Sequence, residues 1–297
     1  MREIWFFVRR NLRVFWRDKL SVFFSVMGPL ILFILFTLFF RKGNANAILG
    51  VIPNGVEADA YAMADEWLFA SVTTFATFTS SLGLLNGFVD DRVSGRFSDY
   101  LVTPMRRWQL AVSYVLSTLI VSFIISVVFM AAGQGWAAVL DQPFLSWRQA
   151  LACAGGIFMS CLVFSALNTL VVTFTTSTSS FGGYSIIMGT AMGFLSFCYV
   201  PPSGLGKTMN SVLSALPFAQ GAALVRRPAM DPAIALVTNP LVGDLRDQAK
   251  DRLMNDLAAQ LWVNDHLLSQ WFMVAVLAGL TVVLALATSW RLGRVIR

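Results

Sequence analysis

Residues 203–208, Ser-Gly-Leu-Gly-Lys-Thr, copy the end of a phosphate-binding loop. In such a loop backbone N–H groups cradle the phosphates and the lysine reaches them. The full pattern is G-x-x-x-x-G-K-[ST], and its first glycine would fall at position 201, which is Pro201. Nothing around the motif reads as a strand–loop–helix unit or supplies an acidic Mg²⁺ ligand, so ATP binding here is not expected. His266 is the single histidine, which excludes a histidine-based metal cluster. No Ser/His/Asp grouping can be assembled in the apolar parts of the chain. Cys153, Cys161 and Cys198 sit in apolar runs and read as small apolar residues rather than a disulfide framework. Catalytic residues, metal ligands and resident cofactors are therefore not expected in this chain.

The segment 90–108 is a different case. It runs Asp-Asp-Arg-Val-Ser-Gly-Arg-Phe-Ser-Asp-Tyr-Leu-Val-Thr-Pro-Met-Arg-Arg-Trp. A charged, glycine-containing turn is followed by a short amphipathic piece that ends at Thr103-Pro104. The bland reading is a solvated loop. Phe97, Tyr100, Leu101 and Val102 are too apolar for that, and a short helix offering them to a partner's groove explains them better. The candidate residues for such a partner contact are Asp91, Arg92, Gly95, Arg96, Phe97, Tyr100, Leu101, Pro104 and Arg106. A second polar set consists of hydroxyls and amides in apolar surroundings: Thr73, Thr77, Ser80, Asn86, Asn168, Thr169 and Thr173. These residues either bond neighbouring helices together or line a translocation path.

The elements that must carry these residues follow from charge distribution. The 297 residues are 57% hydrophobic and 13% charged, with a mean hydropathy of +0.68. Ordinary soluble domains carry about 25% charge. No charged residue or histidine occurs in 21–40, 67–89, 108–140, 149–206 or 267–290. A membrane-crossing helix needs about 20 apolar residues. The stretch 149–206 divides at the hydroxyl-rich run 175–180, before Gly182-Gly183. This predicts an all-α polytopic membrane protein with six transmembrane helices, near 21–40, 67–89, 110–132, 151–174, 181–200 and 269–290. The 41–66 segment, with Gly43, Asn44, Pro53, Asn54 and Gly55, reads as an external loop. Gly28-Pro29 should kink the first span.

The net charge of +6 does not point to nucleic acid, because its placement follows the positive-inside rule. Arg2, Arg9, Arg10, Arg13, Arg17 and Lys19 flank the first span. Arg92, Arg96, Arg106 and Arg107 follow the second, and Arg291, Arg294 and Arg297 follow the last. With six spans all three groups, and both termini, lie on the cytoplasmic side. The first apolar run is too long for a signal-peptide core and precedes Arg41 and Lys42, so it reads as a retained span.

Residues 2–19 form an amphipathic helix, basic on one face and rich in Trp and Phe on the other, suited to the membrane interface. The external region 201–268 holds an uncharged stretch, 208–225, broken by Pro217, which reads as a re-entrant helical hairpin. After it, Leu245, Ala249, Leu253, Leu257 and Leu261 recur every four residues, predicting an amphipathic helix over 244–265.

This ordered set resembles the permease subunit of type-2 ATP-binding-cassette exporters, in the antibiotic- and multidrug-export branch. Such permeases open with an interfacial elbow helix and have six spans. Their intracellular loop is similar to Asp91-Arg92-x-x-Gly-x-x-x-x-Tyr-Leu-x-Thr-Pro-x-Arg-Arg here. A broken re-entrant segment before the last span resembles Tyr199-Val200-Pro201-Pro202 followed by Leu216-Pro217-Phe218. The 244–265 helix goes beyond the family minimum. The resemblance implies a non-catalytic permease in a bacterial plasma (inner) membrane. It would pair with a second copy of itself and with two copies of a separate ABC ATPase, which carries the ATP and Mg²⁺. The substrate would be an amphipathic drug, antibiotic or lipid-like molecule. Two other classes compete. A self-powered secondary transporter usually keeps ionisable residues within its spans, and the predicted spans have none. A membrane-embedded enzyme would need a catalytic constellation, also lacking.

Overall fold

Asp18 decides where the first helix stops. The computed structural model describes residues 2–52, 55–96 and 107–295, the side chains of 107 and 293–295 excepted. In it α1 covers Arg2–Arg17, and Asp18 caps the next helix, α2, Lys19–Leu35. The Asp18 carboxylate accepts hydrogen bonds from the backbone N–H of Leu20 and Ser21, at 3.1 and 3.2 Å, and from the Ser21 hydroxyl at 2.6 Å. Those bonds, the Ser21 hydroxyl's above all, hold its pKa below the usual aspartate value. The predicted helix 2–19 is thus a shorter helix plus a cap, a change set by one side chain.

Beyond α2, which contains Pro29, the chain widens into a π turn, Phe36–Phe40, and continues as α3, Arg41–Val51. The expected external loop at 41–66 is therefore mostly helix. Gly43 and Asn44 lie inside α3, because Ala45 and Ile48 on its inner face are buried and tertiary packing outweighs their weak propensity. Helix α4, Glu57–Val93, begins well before the predicted span and carries Asp65 and Glu66 into the packed interior. Its 37 residues reach about 55 Å, well beyond a bilayer's hydrocarbon core.

Next come α5, Arg107–Val139, and α6, Trp147–Val172, the latter opened by a capping box between Ser146 and Gln149. Then follow α7, Thr178–Leu195, and the short α8, Lys207–Ala215, and α9, Pro217–Val237, which meet at Leu216. The second arm of the uncharged stretch runs past Val225 as far as Val237. Helix α10, Asp244–Asp256, is shorter than the predicted helix at 244–265. It stops because Ala258 takes a left-handed conformation (φ 53°), letting the N–H of Ala259 reach back to the Met254 carbonyl at 2.8 Å. Asn264 and Asp265, both at positive φ, then turn a two-residue hairpin, β1 Trp262–Val263 against β2 His266–Leu267. Helix α11, Gln270–Val295, closes the described chain.

Among the described residues five helical stretches are long and apolar enough to cross a membrane: Lys19–Val51, Glu57–Val93, Trp108–Val139, Trp147–Val172 and Gln270–Leu292. The stretch expected as a fifth span forms α7, an 18-residue helix diluted by serine, threonine and glycine, and is not one of these five. Helix α4 is the spine, packed by α2, α3, α5, α6, α7 and α9. Phe78, Phe164 and Phe218 form a ring cluster with centroids 5.5–6.0 Å apart, fixing α9 between α4 and α6. Gly156 lets α6 and α9 approach closely: a Cβ there would lie 2.6 Å from the Leu224 carbonyl oxygen.

Candidate functional site

The end of α4 that leads into the 90–108 segment is tied to three other helices. Asp91 is buried, and Arg10 of α1 grips its carboxylate with both Nη atoms, at 2.6 and 3.0 Å. The Tyr114 hydroxyl of α5 donates to the same carboxylate at 3.0 Å, and Arg96 adds a longer contact at 3.4 Å. Asn11, next to Arg10, donates to Ser117 of α5 at 3.3 Å. The elbow helix therefore turns one arginine inward rather than presenting every cation to headgroups. A two-pronged arginine–carboxylate contact of this kind fixes orientation as well as adding energy.

Arg92 points elsewhere. Its Nη1 donates to the backbone carbonyls of Thr173 and Thr175, at 2.9 and 2.7 Å, just beyond the C-terminus of α6. A cation there satisfies carbonyls the helix leaves unpaired and complements its dipole. Gly95 follows at φ 76°, a conformation that a side chain disfavours, and it ends α4 cleanly. Asp91, Arg92, Gly95 and Arg96 are thus brought together at one root. Phe97, Tyr100, Leu101, Pro104 and Arg106 lie outside the described residues.

The polar set is divided. Thr73, Thr77 and Ser80 are buried on α4. Thr77 and Ser80 donate to carbonyls one turn back, those of Thr74 and Ala76, and Thr73 lies 3.9 Å from the Met130 sulfur. Asn168 bridges three helices: it donates to Ser81 and accepts from Tyr184, both at 2.6 Å. Thr173 bonds back to the Leu170 carbonyl, the Thr169 hydroxyl is buried with no partner among the described residues, and Asn86 is exposed.

Sequence reasoning missed two groups of interior charges. Asp65 binds Arg41 through two bonds, 2.6 and 2.7 Å, and accepts from Gln142 at 2.9 Å. Glu66 accepts from Gln134 at 3.1 Å. Arg226, on α9, is fully buried. The signal available in the sequence was adjacency alone: Asp65-Glu66 abuts one uncharged stretch and Arg226-Arg227 ends another. Lys207, of the phosphate-loop look-alike, pairs with Asp265 at 2.8 Å on the surface.

Long apolar helices packed around a polar-cored α4 define a multi-pass membrane protein. The ABC-2 type transporter family matches residues 2–227, from the elbow helix into α9, and the chain belongs to that family. No curated protein matches it. It is accordingly a permease component of an ABC transporter, a membrane protein that partners an ABC ATPase subunit. That membership favours an ABC permease over a self-powered secondary transporter.

Proposed function

We propose that this permease exports an amphipathic drug, antibiotic or lipid-like molecule across a bacterial inner membrane. Two copies would pair with two copies of the ATPase, with both termini cytoplasmic. Helix α7 would serve as the fifth of six spans, and the α8–α9 pair would dip into the outer leaflet from outside. The substrate would pass the hydroxyl stripe of Thr73, Thr77 and Ser80, with Asn86, Asn168, Thr169 and Thr173 along the same route.

The observation that carries the reading is the root of the 90–108 loop. A push delivered at Phe97, Tyr100 and Leu101 by an ATPase groove reaches α4 first. Asp91 passes it to α1 and α5, and Arg92 passes it to α6. Rigid, hydrogen-bonded contacts of this kind transmit displacement where a solvated loop would absorb it. Arg96 and Arg106 would orient the contact from its rim, where charges contribute less than buried apolar anchors.

The test uses the permease reconstituted with its cognate ATPase. Hydrolysis should need the ATPase subunit. Tyr100→Ala should uncouple hydrolysis from export or release the ATPase, while Arg107→Ala, expected at the headgroups, should be milder. Wild-type export by Tyr100→Ala, with export abolished by Arg107→Ala, would refute the assignment.

A further inference from the structure

Arg226 carries its charge into the bundle without a carboxylate. The side chain is fully buried between α9 and α4. Its Nε donates to the Ser71 hydroxyl oxygen at 3.1 Å and its Nη2 to the Cys198 sulfur at 3.3 Å. The guanidinium lies 5.6 Å from the ring centre of Trp67. Nη1 is buried and has no hydrogen-bond partner among the described residues. Among the described residues no acidic side chain forms an ion pair with it, whereas the buried Asp65 has Arg41 and Asp91 has Arg10. Ser71 stands one turn beyond Trp67, about 6 Å along α4 into its uncharged stretch. A charged side chain at such a depth is costly, and membrane proteins keep one there where it meets a counter-charge or a ligand.

Its surroundings carry further strain. Helix α7 ends in a Schellman turn: the N–H of Cys198 bonds to the Gly193 carbonyl at 2.8 Å and that of Phe197 to Phe194 at 3.2 Å. The left-handed position of this turn usually holds glycine, and here it holds the buried Phe197 at φ 56°. Strain of this kind gathers at ligand sites and switch regions. On the α9 side, Pro228 and Pro232 follow Arg226 inside the helix and remove two of its backbone donors. The arginine therefore sits between a turn with a left-handed phenylalanine and a helix that lacks two backbone donors.

We propose that Arg226 anchors a site for a compact anionic group, a phosphate or a carboxylate, which enters between α4, α9 and the 196–199 turn and bonds to Nη1. The ligand completes the guanidinium's hydrogen bonding and neutralises it, while Trp67 and Ser71 hold the fork in plane. Two sources present this chemistry: an anion in solution, such as an acidic group of a transported molecule, and the headgroup of an acidic lipid. Assigning the anion to a transported molecule rests on the exporter reading, but the site itself does not.

The full-length permease, purified in a neutral detergent, tests this without ATP or the ATPase, so the outcome is separate from that of the Tyr100→Ala experiment. Its unfolding midpoint is followed against inorganic phosphate and acetate, with chloride at equal ionic strength as reference. The same measurement is made in micelles doped with phosphatidylglycerol or phosphatidylcholine. A saturable rise with phosphate or acetate identifies a soluble anion, and a rise with phosphatidylglycerol alone identifies a lipid headgroup. Arg226→Gln should weaken either response about tenfold or more, the usual consequence of losing a charge-assisted bond. Arg226→Lys should keep a weaker one. Arg226→Met should be at least as stable as the wild type without anion, since it removes a charge that lacks its counter-charge. The proposal is overturned by the absence of any anion response, or by equal responses in the wild type and Arg226→Gln. Destabilisation of Arg226→Met in anion-free micelles also overturns it. If Arg226→Gln fails to fold, a response by Arg226→Lys indistinguishable from wild type does so too.

Discussion

Replacing Asp91 with alanine withdraws the carboxylate that Arg10 and Tyr114 share at the base of α4. Breaking a buried ion pair from one side costs about 3–5 kcal/mol. The Asp91 side chain is 5% exposed but that of Arg10 is 27% exposed, so the arginine can turn toward water and recover part of its solvation. The expected destabilisation is therefore about 2–3 kcal/mol. Arg10→Ala leaves the more deeply buried carboxylate without its two-pronged partner and should cost at least as much. If the two residues act as one unit, the double variant should fall short of the sum by about 1–3 kcal/mol. The assay is the unfolding midpoint of the purified permease in an SDS titration of mixed micelles, for the wild type, both single variants and the double variant. In the reconstituted complex the same variants should lower export per ATP hydrolysed, because α1 no longer follows α4. Additive effects within about 0.5 kcal/mol, or full coupling in Asp91→Ala, would show that the elbow helix is not held through this pair.

Other variants probe different parts of the fold. Gly156→Ala forces a Cβ to within 2.6 Å of the Leu224 backbone and should destabilise by about 1–3 kcal/mol, while Gly155→Ala, which meets nothing within 4 Å, should be neutral; equal effects in the same titration would deny the close contact of α6 and α9. Ala258→Gly relieves a left-handed alanine and should stabilise by about 1 kcal/mol, seen as a higher midpoint, and a lower midpoint would contradict the assigned turn. Asp18→Ala should cost about 1 kcal/mol at neutral pH. The native Asp18 pKa lies below the usual aspartate value of 3.8, so this difference between wild type and variant is present above that value and lost as pH falls through the native one; a difference that persists in acid would refute the cap. Valine at Thr73, Thr77 and Ser80 should shift substrate preference with assembly intact if these hydroxyls line the path, whereas lost folding with unchanged preference would make them packing groups.

Charge-free stretches and the placement of arginines were enough to read an all-α, multi-pass membrane protein from the sequence, since burying a helix in lipid forbids charge over about 20 residues whatever the tertiary contacts. The expectation of a partner contact after the second stretch rested on apolar residues out of place in a loop, and those residues lie outside the described ones. Other features depended on partners distant along the chain. Nothing near Asp91 in sequence shows that Arg10, 81 residues away, will grip it, or that Arg92 will cap a helix ending near Thr173. Glycine and asparagine argued for a loop at 43–44, yet Ala45 and Ile48 pack α3 as a helix. The four-residue leucine spacing continued past Asp256 although the chain turns at Ala258. Local composition reports what a segment prefers in water or lipid. Which buried charge meets which partner, and whether Arg226 meets a carboxylate at all, was decided only by the packing of α9 against α4.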